Sequence, residues 1–189
     1  MRMQLVMMGA LASVLATGSA VQAQQYVIDD QHFGIVFRIQ HIGISWTYGR
    51  FNELSGDFVL DKANPANSSF QLTIKADSLD TANKKRDDHL RSPDFFNVKQ
   101  FPTINFKSTA VRAIEGGYEV TGDLTLHGVT KPITFKLLGG KEAELPPGTH
   151  RVGFTSDIIL KRSDFGMGNF QNAIGDEVQI AVSFEGVRK

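Results

Sequence analysis

The sequence contains no cysteine, and it has a single tryptophan among its 189 residues. Without cysteine the chain forms no disulfides, and it carries no lipid anchor attached through a cysteine. We therefore expect its stability to come from the burial of apolar side chains and from backbone hydrogen bonds alone.

An excess of charge of either sign is also missing, because 20 basic residues balance 20 acidic ones. Domains that bind nucleic acid normally carry a basic patch. We therefore expect no nucleic-acid partner. The sequence also lacks a run of lysines of the kind that attaches proteins to an anionic membrane.

Long apolar runs are absent as well. The apolar stretch 5–16 is too short to span a bilayer. Arg2 precedes this stretch, and the small residues of Val21-Gln22-Ala23 follow it, which is the pattern of a secretory signal peptide. We predict that residues 1–23 are a cleaved signal peptide, that residues 24–189 form a single domain, and that the protein has no membrane span.

The most frequent pattern is the alternation of apolar and polar residues, which recurs in about eight segments. Phe33, Ile35 and Phe37 show it in the first of them. A period of two is typical of strands with one buried face. Turn sequences at 115–118 and 145–148 indicate short connections and antiparallel neighbours. Closure into a barrel removes both sheet edges, so we predict an all-β, about eight-stranded antiparallel up-and-down barrel.

One long segment, residues 80–102, interrupts the alternation. Asp80 or Thr81 is a suitable cap for a short helix, and Pro93 is expected to end it. The sequence thus predicts a short helical insertion at residues 82–99.

The interior of such a barrel is either filled by side chains or holds one small ligand. The inward-facing set has almost no charge, and it mixes rings such as Phe37 and Phe106 with the small residues Ala76, Gly122 and Ser156. This mixture favours a cavity for an apolar ligand, while a filled barrel that serves as an interaction module remains the alternative. The residues predicted to bind the ligand in the barrel interior are Phe33, Ile35, Phe37, Ile39, Phe70, Leu72, Ile74, Ala76, Ile104, Phe106, Tyr118, Val120, Leu124, Leu126, Phe135, Phe154, Ile158, Val178, Ile180, Val182 and Phe184.

Four stretches together resemble a known family. They are "DDQHFGIVFRIQHIG" (29–43), "SLDTANKKRDDHLRSPDFFNVKQFPTINFKST" (78–109), "GDLTLHGVTKPI" (122–133) and "GFTSDIILKRSDFGM" (153–167). The chain resembles the YceI-like family, periplasmic polyisoprenoid-binding proteins with a lipocalin-like barrel. The resemblance implies a periplasmic carrier that sequesters a long-chain polyisoprenoid, or a related quinone-like or fatty-acid-like lipid. It implies no cofactor and no catalytic activity.

The charged stretch "RDDHLRSPDFF" (86–96) raises the alternative of an enzyme that acts on such a lipid. A spacing of two places Asp87 and His89 on different faces of a helix, while Asp87 and Arg91 share one face and can pair. This arrangement favours an ion-paired surface helix. Phe95 and Phe96 are expected to dock it onto the barrel end.

The end of the barrel is also the predicted place of the ligand's head group. We predict contacts there from His41, Trp46, Phe95 and Phe96. The enzymatic alternative would use His41 or His89. No histidine spacing is typical of a zinc site, so we expect no metal. An exposed strand edge near the strand ends would allow a homodimer.

Overall fold

The computed structural model of the protein describes residues 23–189, so the predicted signal peptide lies outside the described residues except for Ala23. Ten strands form one antiparallel sheet in this part of the chain. The strands are β1 (Gln24–His41), β2 (Ser45–Phe51), β3 (Leu54–Leu60), β4 (Ser69–Lys75), β5 (Leu79–Asp80), β6 (Thr103–Ile114), β7 (Gly117–Leu126), β8 (Val129–Glu144), β9 (His150–Lys161) and β10 (Ile174–Arg188). One helix, α1 (Lys84–Arg91), and three 3-10 turns, Pro65–Asn67, Ala76–Ser78 and Arg162–Phe165, complete the fold.

The ten strands occupy eight positions in a closed barrel. β2 pairs with the second half of β1 and β3 with its beginning, so β2 and β3 act as one bent strand. β4 pairs with β3, and β5 pairs with β2, so β4 and β5 likewise share one position in the barrel. All neighbours follow the order of the sequence, and β10 closes the barrel on β1. The predicted eight-stranded up-and-down barrel is confirmed.

The predicted helical insertion is also confirmed, but its details differ. The cap of α1 is Asn83, whose side-chain oxygen accepts a hydrogen bond from the Arg86 amide at 3.0 Å. The predicted caps, Asp80 and Thr81, are wrong because both precede this turn and have other partners. After α1, residues 92–101 form a series of turns.

The connections lie at two opposite ends of the barrel. The helical end holds the β1–β2 turn (42–44), α1 with the turns 92–101, and the loop 166–173. The terminal end holds the β8–β9 turn and both ends of the described chain, where the Lys189 amide donates to the Gln25 carbonyl at 2.9 Å. No helix among residues 23–189 has the length and apolar character needed to cross a bilayer.

Aromatic rings fill the barrel interior at the terminal end. Phe58 stacks on Tyr26 at 4.9 Å and on Phe70 at 5.2 Å between ring centroids. The rings of Phe154 and Phe184 meet Phe58 edge-on at 5.8 and 6.0 Å. We call these five residues the aromatic plug. Offset and edge-on contacts of this kind are the favoured geometries of aromatic pairs, so the plug is a well-packed core.

Candidate functional site

A cavity of about 680 Å³ occupies the barrel interior between the aromatic plug and the helical end. Its walls are apolar side chains from the inward faces of the strands. Phe70 and Phe184 of the plug form its floor, and His41 and Ile174 lie near its mouth. The barrel is therefore not filled by its own side chains, which excludes the filled-barrel alternative.

Most of the predicted interior residues line this cavity. They are Ile35, Phe37, Ile39, Phe70, Leu72, Ile74, Ile104, Phe106, Leu124, Leu126, Phe135, Ile158, Val178, Ile180, Val182 and Phe184. The structure shows their position, and their role in ligand binding stays a prediction.

Five predicted interior residues do not line the cavity. Tyr118, Val120 and Phe154 are buried at the terminal end, where the strands are packed solid. Ala76 is buried in the 3-10 turn that follows β4, and Phe33 is partly buried against the core beside an irregularity in β1. Alternation along a strand predicts the face on which a residue lies, but it does not predict how deep in the barrel that residue sits.

Sequence reasoning missed part of the lining. Leu54, Ile133, Leu137 and Leu160 belong to alternating strands, so the same period-two signal could have identified them. The side chains between β9 and β10 lack periodicity, and only their apolar character in a loop could have indicated them. These residues are Phe165, Met167, Phe170 and Ala173.

Polar side chains line the cavity only around its mouth, apart from Ser156. Each charged residue among the described lining residues is basic, and none carries a carboxylate. The mouth therefore offers hydrogen-bond donors and positive charge to a bound molecule. The polar residues of the mouth are Gln40, His41, Thr47, Thr81, Asn83, Lys85, Arg86, His89 and Arg162.

Arg162 is buried, although it carries a charge. Its guanidinium donates to backbone carbonyls of residues 167–175, including Asn169 at 2.6 Å, Gly175 at 2.8 Å and Ile174 at 3.0 Å. Burial lowers the pKa of Arg162, and the nearby Asp176 carboxylate opposes this effect. Since its donors are used by the backbone, Arg162 holds the loop 166–173 in place beside the mouth.

The α1 helix is fixed to the barrel by a polar network around Thr81. The buried Asp87 carboxylate accepts hydrogen bonds from the Thr81 amide at 2.9 Å and hydroxyl at 2.5 Å. Arg86 donates to the Thr81 hydroxyl and carbonyl, both at 2.7 Å. The predicted pair of Asp87 and Arg91 is wrong, because Arg91 pairs with Asp77 at 2.9 Å instead.

Three of the four predicted head-group contacts lie at the cavity, namely His41, Phe95 and Phe96. Phe96 meets Phe51 edge-on at 5.6 Å, so the insertion does dock onto the barrel end through its rings. Trp46 does not line the cavity. It lies on the outer face of β2, where the Arg38 guanidinium covers its ring at 4.6 Å, because its position in the alternation points outward.

His89 lies at the mouth, but its partners do not form a recognisable catalytic set. Its Nε2 atom is 2.9 Å from an Asp94 carboxylate oxygen, and its ring meets Phe95 at 5.0 Å. Ser156 also lines the cavity, and its hydroxyl donates to the Lys136 carbonyl at 2.8 Å. No lining nucleophile among the described residues is hydrogen-bonded to a histidine.

A cluster of possible metal ligands lies at the terminal end, remote from the cavity. One ligand atom each of Asp29, His32 and Glu185 lies within 4.8 Å of the others. Arg151 already donates to both carboxylates of this cluster. The arrangement is therefore an ion-pair network centred on a guanidinium.

Comparison with known proteins agrees with this architecture. The sequence model of the YceI-like domain matches residues 26–186. The chain belongs to the YceI-like family. A UPF0312 protein of Pseudomonas aeruginosa is 43% identical over 182 residues, which cover 95% of each chain.

Two solved structures have a similar fold. The crystal structure of Burkholderia cenocepacia BcnA is similar with a TM-score of 0.75 and 26% identity, covering 84% of this chain and 98% of BcnA. A polyisoprenoid binding domain from Saccharophagus degradans is similar in fold, with a TM-score of 0.64, 18% identity and coverage of 89% and 100%.

Proposed function

We propose that this YceI-like protein is a periplasmic carrier that sequesters a long-chain polyisoprenoid or a related amphiphilic lipid in the barrel. Its proposed form is residues 24–189 after removal of the signal peptide. The single observation that carries the proposal is the cavity of about 680 Å³ with apolar walls. The name of the Saccharophagus degradans domain, which shares the fold, supports an isoprenoid over other lipids.

The cavity volume indicates the length of the tail. An apolar cavity of about 150 Å³ accommodates benzene, so 680 Å³ corresponds in proportion to about 25 to 30 carbon atoms. Each buried CH₂ group contributes about 0.8 kcal/mol. A tail of this length therefore outweighs an association cost of about 4 to 15 kcal/mol without many polar contacts. A longer tail would project from the mouth.

The two ends of the cavity give the ligand a direction. The aromatic plug closes the terminal end, so the tail enters through the mouth and lies with its end against Phe70 and Phe184. The head group stays at the helical end beside Gln40, His41 and Lys85. The mouth offers hydrogen-bond donors, and no carboxylate is among the described lining residues. This combination suits an electron-rich or anionic head group, such as a quinone, a carboxylate or a phosphate.

We propose a binding protein rather than an enzyme. Catalysis on the head group would need an activated nucleophile or a positioned base with an orienting partner. The Thr81 hydroxyl donates to Asp87 and the Ser156 hydroxyl donates to the Lys136 carbonyl, so neither is an activated nucleophile. His89 has an orienting partner in Asp94, but no lining nucleophile among the described residues is hydrogen-bonded to its ring.

A pair of adjacent substitutions tests the carrier function. Ile158 lines the cavity, while Ile159, its neighbour in β9, points outward and is 62% exposed. Ile158→Trp should fill cavity volume and lower the affinity for a C25 isoprenoid at least tenfold, whereas Ile159→Trp should leave it unchanged. Titration of a fluorescent isoprenoid, with circular dichroism as the check on folding, measures both.

The lipid that accompanies the protein is the second readout. Gentle purification, solvent extraction and mass spectrometry should reveal a long-chain lipid in the wild-type protein and much less in Ile158→Trp. A pure protein that carries no lipid and takes up no long-chain lipid would overturn the proposal.

A further inference from the structure

We propose that the helical end of the barrel docks on the surface of a lipid bilayer, with Ile42, Ile44 and Phe170 inserted between the lipid head groups. We call these three residues the rim tips. Their purpose rests on the proposed carrier function, because a long-chain lipid exchanges with a membrane through the cavity mouth. The docking itself is independent of a bound ligand.

The rim tips are apolar side chains left in water beside the mouth. Ile44 is 81% exposed, Ile42 53% and Phe170 49%. The two segments that carry them touch, since the Ile42 amide donates to the Ala173 carbonyl at 2.7 Å. Phe170 and Ala173 also line the cavity. An exposed apolar patch at the opening of an apolar cavity indicates a surface that is covered when the protein acts.

The backbone at the rim tips is unfavourable for the residues that occupy it. The β1–β2 turn places Ile42 at a φ of +43° and Gly43 at +74°, and the Ile44 amide donates to the His41 carbonyl at 3.2 Å. Turns with two positive φ values strongly prefer asparagine or glycine, and a β-branched residue is strained there. Phe170 has a φ of +59° as well. The Phe170 ring gains a stacking contact with Phe95 at 5.5 Å between ring centroids, but neither folding nor solubility favours isoleucine at position 42. Strained positions of this kind cluster at functional sites.

The outer wall next to the β1–β2 turn has the composition of a membrane interface. Trp46 and Tyr48 lie on the outer face of β2, and Arg38 of β1 stacks on Trp46. Tryptophan and tyrosine are enriched at the level of lipid head groups, where one part of the ring is apolar and another polar. Trp46, which the cavity does not use, thus acquires a role on the outside of the barrel.

Two basic residues at the helical end, Arg38 and Lys85, lack an ion-pair partner among the described residues, although exposed carboxylates such as Asp88 and Asp94 lie at the same end. Within residues 23–189, neither Arg38 nor Lys85 has a carboxylate within ion-pair distance. Each basic residue near an anionic surface contributes about 1 kcal/mol to attachment. The sequence has no run of lysines, so the apolar rim tips supply most of the attachment, and the basic residues favour anionic lipids.

Flotation with vesicles of phosphatidylcholine, alone and with one third phosphatidylglycerol, tests the proposal on the full domain. We expect wild-type protein to float with both and better with the anionic mixture. Ile44→Asp should lower the partition coefficient at least tenfold. The matched control is Leu145→Asp, which removes a side chain that is 70% exposed at the terminal end and should leave flotation unchanged.

Ile42→Gly separates docking from folding. Glycine adopts a positive φ without strain, so this variant should have a higher thermal midpoint and yet weaker vesicle binding than the wild type. A merely destabilising effect would move both quantities downward together.

Three results of these experiments would contradict membrane docking. The proposal is overturned if wild-type protein fails to float, or if Ile44→Asp and Leu145→Asp behave alike. It is also overturned if sedimentation shows a dimer that Ile44→Asp dissociates, since the rim tips would then belong to an interface between two copies. Vesicle binding by a protein that takes up no lipid would leave the docking intact and remove the carrier function instead.

Discussion

The two ends of the barrel differ in how their interiors are filled. At the terminal end, the aromatic plug fills the interior, and Tyr26 and Phe58 are no more than 1% exposed. At the helical end, the same barrel encloses empty volume and holds its loops through Arg162 and Thr81. The difference indicates that one end supplies stability and the other is left free for binding. The predictions below test this separation.

The largest effect on stability is expected at the centre of the plug. Phe58→Ala removes a ring that contacts four others, and it should lower the free energy of unfolding by about 3 to 5 kcal/mol. Phe170→Ala, the same change at the helical end, should cost less than about 1 kcal/mol because that ring is half exposed. Urea denaturation of both variants measures the difference. Equal losses would show that the two ends contribute alike.

A smaller effect is expected from crowding the plug. A Cβ atom at Gly186 would lie 2.3 Å from the Phe58 ring, so Gly186→Ala should cost about 1 to 3 kcal/mol. Gly34 is the control, because a Cβ there meets nothing within 4 Å, and Gly34→Ala should be neutral or slightly stabilising. Thermal unfolding compares them, and a neutral Gly186→Ala would mean that the plug is loosely packed.

The smallest effect concerns pH and lies at the rim of the terminal end. A hydrogen bond from Arg151 is the main cause that lowers the pKa of Asp29, helped by the Gln31 amide and His32. The interactions that lower the pKa of Asp29 stabilise the fold fully above the unfolded value of about 3.9, and this stabilisation decreases as the pH falls from there towards the lower pKa of the folded state. Asp29→Asn should therefore cost about 1 kcal/mol at pH 7, and less at pH 2.

Thermal midpoints between pH 7 and pH 2 check this dependence. The wild type should lose more stability on acidification than Asp29→Asn. Asp57→Asn, which removes an exposed carboxylate 3.7 Å from Lys189, serves as the control with a wild-type pH profile. Parallel profiles for all three proteins would contradict the assignment to Asp29.

The barrel could be predicted from the sequence because each strand and turn is indicated by residues that are close together along the chain. Alternation in segments such as 33–39 marks a buried face, and short turns dictate antiparallel neighbours. The bending of one strand into β2 and β3 was not visible, because residues 52 and 53 interrupt the pairing without a proline or glycine. The cap of α1 was misplaced by two or three residues, since three of the four residues 80–83 are suitable caps.

The candidate site was predictable only where strands form it. The cavity walls follow from alternation, whereas the position of the plug depends on which rings meet across the barrel, as Phe58 and Phe154 do. The rim tips gave no sequence signal either. Ile42 and Phe170 are unusual because of their backbone conformation, and a sequence does not display φ angles.

Closure of the barrel between β1 and β10 has a consequence for how the protein is made. β1 finds its second neighbour only when β10, which begins at Ile174, has been synthesised. Until then both margins of the growing sheet carry unsatisfied amides and carbonyls, which attract other chains. A chain without β10 would therefore keep two open sheet edges, and the fifteen residues of β10 convert that open sheet into a closed container.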